Sequence, residues 1–185
     1  MKWGRVLIFI SAVLVLVLSG CGPQYEGDAK NDFRSANWGM SRAKVAKTES
    51  VEYTYASDEI LLFEIEEYDD KMQVFYYFSE DKLISGECRV LMGDHLSNAL
   101  ANDMIESYSR FRDRIIELYG VPLDDDYKVW LDDKGDPADR DAYNIYFGHL
   151  AYLTEWDAER TEMSLVFNYD NELINYIFTA KLKSG

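Results

Sequence analysis

The sequence predicts an α+β protein: antiparallel β-meander sheet structure with a short N-terminal helix and one long central helix. Three observations carry that class. Apolar residues recur at steps of three and four from Leu96 to Leu118. β-Branched and aromatic runs separated by short acidic turns lie on both sides of that stretch. One hairpin-like run also occurs twice, as Val74–Ser85 and, one residue shorter, as Leu165–Asn175. The last observation predicts two α-β-β-β units, half-repeats spanning 32–92 and 93–185.

In chain order, Lys2 and Arg5 precede an apolar run from Val6 to Leu18 broken only by Ser11. Thirteen helical residues reach roughly 20 Å, against about 30 Å of bilayer hydrocarbon. That length suits a cleaved signal core better than a permanent span. Residues 21–31 are polar and carry Gly22, Pro23 and Gly27, which predicts a flexible tether. A single α+β domain is expected over 32–185. Its first helix should run from Arg42 to Glu49 behind an N-cap at Ser41, with Val45 and Ala46 turned inward.

Strands are predicted at Val51–Tyr55, Ile60–Tyr68, Met72–Phe78 and Leu83–Leu91, with turns at Asp69–Lys71 and Ser79–Lys82. Asp94 should cap the long helix, whose inner face reads Leu96, Leu100, Met104, Tyr108, Phe111, Ile115 and Leu118. Gly120 and Pro122 end it. The remainder is again strand-like: a short strand at Tyr127–Leu131, a charged loop over Asp132–Arg140, then Tyr143–Phe147, whose type stays open, and His149–Trp156. A last hairpin pairs Met163–Tyr169 with Leu173–Leu182 around Asp170-Asn171-Glu172.

The run Leu18-Ser19-Gly20-Cys21 resembles the lipobox of bacterial lipoproteins. The resemblance implies a diacylglycerol on the Cys21 sulfur and cleavage between Gly20 and Cys21, so that residues 1–20 are a signal peptide. Two or more acyl chains anchor a protein firmly where one does not. The expected location is therefore the cell membrane or outer membrane, lipid-anchored and facing the extracytoplasmic side. The segment Trp38-Gly39-Met40-Ser41-Arg42-Ala43-Lys44-Val45 is similar to openings of small envelope lipoproteins, BamE-like and β-lactamase-inhibitor-like. That likeness implies helices on one face of an antiparallel sheet, and a protein-binding or envelope-assembly role.

The chain has 19 basic and 34 acidic residues. Removing Lys2 and Arg5 leaves 17 against 34, a net charge of −17, which repels phosphate and excludes nucleic acid as a partner. With Cys21 lipidated, Cys88 has no partner within the chain. Alternation places it on the face of Ile84 and Val90, as a buried, inert thiol.

No catalytic residue, metal ligand set or cofactor is assigned. His95 and His149 have no Cys or His at metal spacing. The acidic runs Asp124–Asp126 and Asp132–Asp136 miss the EF-hand pattern, because its sixth and twelfth positions counted from Asp132 are Pro137 and Tyr143. They read as solvated loop. In Val74–Phe78 both faces carry large side chains. The long helix on one side and the N-terminal helix or loops on the other would cover both. Left uncovered, Phe75, Tyr76 and Tyr77 would be the protein-binding residues, docking another envelope protein. The alternative function is a ligand-binding or hydrolytic lipoprotein using scattered carboxylates.

Overall fold

A computed structural model describes residues 30–184 apart from 68, 94–96, 125 and 171–172. The signal peptide, Cys21, most of the tether, Asp94, His95 and Leu96 lie outside the described residues, as do Asn171 and Glu172. The elements are α1 (Arg42–Val45), β1 (Tyr55–Ala56), β2 (Ile60–Glu67), β3 (Asp70–Ser79), β4 (Lys82–Gly93), α2 (Asn98–Tyr119), β5 (Lys128–Trp130), α3 (Asp141–Tyr146), β6 (Leu150–Asp157), β7 (Thr161–Asp170) and β8 (Leu173–Leu182). They give an α+β fold. All eight strands form one antiparallel sheet in the order β1-β2-β3-β4-β8-β7-β6-β5.

That order is two four-stranded meanders joined at their last strands. Each half has one strand more than the three-strand unit the echo predicts, and α3 intervenes in the second. The echo itself falls on the β3–β4 and β7–β8 hairpins. Its missing residue has a structural counterpart in Ile84. Tyr77 pairs with Ser85 and Phe78 with Leu83, leaving Ile84 as a bulge. An extra residue in one strand reverses the alternation on either side of it. Ile84 is therefore 40% exposed and does not share the face of Cys88 and Val90, contrary to the uninterrupted alternation expected. Glu80 and Asp81 both take positive φ, 50° and 57°, in the two-residue turn between Ser79 and Lys82.

The register sets the core. Phe63, Val74, Cys88, Phe178, Leu165 and Thr154 stand side by side across six strands. The adjacent row is Leu61, Tyr76, Gly86, Ala180, Met163 and Trp156. All the side chains in these two rows are buried. α2 lies over the second half. Tyr108 meets the rings of Phe167 and Tyr152, each at 5.2 Å, and Phe111 meets Tyr176 at 5.2 Å. Residues 31–38 and α1 cover the first half on the same side. Phe33 stacks over Phe178 at 6.3 Å and meets the Tyr76 ring edge-on at 5.4 Å.

Two elements differ from expectation for local reasons, and local contacts settle a third. α1 stops at Val45 because the Thr48 hydroxyl donates to the Val45 carbonyl (2.9 Å), and Glu49 leaves the helix line to reach Arg34. Ser41 occupies the N-cap position without a side-chain bond; its carbonyl accepts from Lys44 and Val45. The cap of α2 is Ser97, whose Oγ accepts from Leu100 N at 3.1 Å, three residues beyond the expected Asp94. The aromatic run Tyr143–Phe147, whose type the sequence leaves open within a strand-like remainder, falls mainly in α3. Asn144 fixes it there: its side chain accepts from Asp136 N (3.1 Å) and donates to Asp136 O (2.9 Å). Ala142 and Ile145, three apart, face the core.

Candidate functional site

The helices and the amino-terminal segment pack on one face of the sheet, so the other face is uncovered among the described residues. The expected coverage of both faces does not occur. Strand alternation divides the three residues expected to bind protein. Phe75 and Tyr77 stand on the open face, whereas Tyr76 points into the core, fully buried. Its hydroxyl donates to Glu49. Tyr76 is therefore no surface residue.

On the open face Phe75 and Tyr77 are stacked at 6.1 Å with their planes 9° apart. The Arg89 guanidinium lies 5.4 Å from the centre of the Phe75 ring and is held there by Glu87 Oε1 at 2.7 Å. Partial burial and the Glu87 carboxylate raise the Tyr77 hydroxyl above its usual range. Leu62 and Ile60 are the cross-strand neighbours of Phe75 and Tyr77. Ile177, Val166 and Leu153 continue the Arg89 row across the sheet. The result is a broad, shallow surface of alternating rings, aliphatic side chains and ion pairs. Such a surface suits contact with another protein rather than enclosure of a small substrate. No protein-family model matches the chain, and neither a curated protein nor a solved structure is significantly similar to it.

The carboxylates that the structure gathers are occupied. Arg34, in a left-handed conformation (φ 50°), forks to two of them: Nε and Nη2 reach Glu49 at 2.9 and 3.2 Å, while Nη1 and Nη2 reach Glu67 at 3.0 and 2.7 Å. Burial would raise the Glu49 carboxyl, but the bonds from Arg34 and Tyr76 hold it below its ordinary value. Cys88 lies within the field of this cluster. Burial pushes its thiol up to about 12, which keeps it protonated and inert.

A second cluster joins Asp70, Ser107 and Tyr176. The Ser107 hydroxyl and the Tyr176 hydroxyl (3.1 Å) both donate to Asp70 Oδ2. Ser107 is 2% exposed, so its oxygen is closed to substrate. In the acidic loops, Asp124, Asp132 and Asp136 each accept from the backbone N–H two residues on, at 2.8–2.9 Å. They tie turns rather than converge on an ion. His149 pairs with Asp132 at 3.1 Å. A cleft of about 390 Å³ between α1 and the β1 region is lined by Arg42, Tyr53, Ser57 and Leu61, with Asp58 as its one carboxylate. The Arg34 and Asp70 clusters depend on contacts 15 to 106 residues apart, and the sequence carries no spacing that announces them.

Proposed function

We propose that this chain is a lipid-anchored extracytoplasmic lipoprotein that binds a protein partner through the open face of its sheet and performs no catalysis. Anchoring is supported by Leu18-Ser19-Gly20-Cys21 standing behind a charged start and a short apolar run. Binding is supported by one observation above the rest: no described residue packs over the Phe75, Tyr77 and Arg89 face, while the opposite face is closed by helices. The partner presents a net positive surface, complementary to a chain whose mature charge is −17.

Two measurements test the halves separately. Cys21→Ser should abolish acylation and leave the precursor uncleaved. Unchanged processing and membrane fractionation would remove the anchor from the proposal. In detergent extracts, the wild type should retain a partner that the Phe75→Ser/Tyr77→Ser double variant loses, with both proteins melting within a few degrees of each other. Identical recovery from the two would remove the face.

A further inference from the structure

We infer that the β5 edge of the sheet is a second docking surface, built to receive an extended polypeptide strand with an apolar centre and basic ends. The inference rests on neither the lipid anchor nor the open face. Among the described residues β5 is the last strand of the sheet and is paired on one side only. Tyr127 O accepts from Leu153 N, and Leu131 N donates to His149 O, both at 2.8 Å. Bonded residues alternate in antiparallel pairs, so 127, 129 and 131 face β6, and the N–H and C=O groups of Lys128 and Trp130 face outward. Leu123 N bonds Glu155 O, so residue 123 also lies against β6.

The border holds only three residues of strand, but its exposed side chains are mostly apolar. Natural edges are blunted by exposed charge, proline or brevity. Here Leu123, Val129, Trp130 and Leu131 are 67, 38, 41 and 55% exposed. The one lysine of the strand, Lys128, is 43% exposed, with its Nζ 2.6 Å from Asp141 and 6.0 Å from the centre of the Tyr152 ring.

Charge selects the occupant. Residues 124–141 contain eight aspartates and three basic residues. Asp124 and Asp126 stand exposed at one end of the apolar border, and Asp132 and Asp133 at the other. A second copy of the chain would bring two such acidic rims together. A strand with lysine or arginine at its ends complements them.

The test uses the full chain in detergent and the synthetic peptide Lys-Val-Thr-Val-Thr-Val-Lys, with binding read by calorimetry. Binding should weaken at least tenfold when alternate peptide nitrogens are methylated, at least tenfold when both lysines become glutamates, and severalfold between 50 and 500 mM NaCl. Val129→Lys replaces a surface side chain, should leave the melting temperature unchanged, and should cut the affinity at least tenfold. Phe75→Ser/Tyr77→Ser should bind the peptide as the wild type does. The inference is overturned by absence of binding, by equal binding of the methylated or glutamate peptide, or by an unaffected Val129→Lys. It is also overturned if the chain forms dimers that Val129→Lys disperses, since the edge would then belong to a second copy.

Discussion

Gly86→Ala should cost about 3 kcal/mol, within the range for forcing bulk into a packed core, and lower the melting temperature by roughly 6–12 °C for a domain of this size. A Cβ at this position would stand 2.2 Å from two carbons of the Phe33 ring. The φ of Gly86 is not in the left-handed region, so the backbone would accept alanine and the whole penalty comes from the ring. Phe33 has no easy retreat, because Trp38, Tyr76 and Phe178 surround it. The glycine therefore makes a seat in the middle of the sheet, and the amino-terminal segment fills it. Thermal melts of Gly86→Ala in the wild-type and Phe33→Leu backgrounds measure this directly. With the ring gone, most of the alanine penalty should vanish. An equal penalty in both backgrounds would mean the seat does not exist.

Arg34→Met should cost about 3–4 kcal/mol at pH 7, the range for removing one partner of a buried ion pair. The Glu49 side chain is only 6% exposed and loses its sole guanidinium bonds, while Glu67, at 35%, recovers some water. The pH dependence distinguishes this mechanism from simple loss of packing. In the wild type the Glu49 carboxyl is held below 4.5. Its contribution is thus fully present above that value and lost as pH falls through the lowered pKa. In Arg34→Met, burial acts without the opposing guanidinium and raises the carboxyl above 4.5. Protonation then favours the folded variant. The gap between the two melting temperatures should narrow from pH 7 to pH 4. A constant or widening gap would assign Arg34 a packing role alone.

What the sequence disclosed and withheld follows the range of the interactions. α2 was legible because six apolar residues, Leu100 to Leu118, repeat along one helix face and Gly120, with φ 91°, ends it. The β3–β4 and β7–β8 hairpins were legible because turn and alternation are local. Tyr143–Phe147 stayed undecided because its aromatic residues favour strands, whereas the contacts that make it helical come from Asp136 and from burial of Ile145. Tyr76 misled because alternation gives two faces without saying which one the helices cover. The Arg34 clamp and the Phe33 seat could not be read from spacing. The exposed border at Val129-Trp130-Leu131 left a visible trace, an apolar triplet bracketed by aspartates, but its meaning depends on β5 being outermost.

The strand order also dictates when the molecule can close. β8, residues 173–182, inserts between β4 and β7, so the two meanders share no seam until it arrives. A chain emerging amino end first exposes the naked flank of β4 throughout the synthesis of everything from α2 to β7. For that whole interval the first half offers one open flank of a twelve-residue strand to any neighbour able to add to it. The latest strand is thus the keystone, and damage to it should undo the early half as thoroughly as the late one.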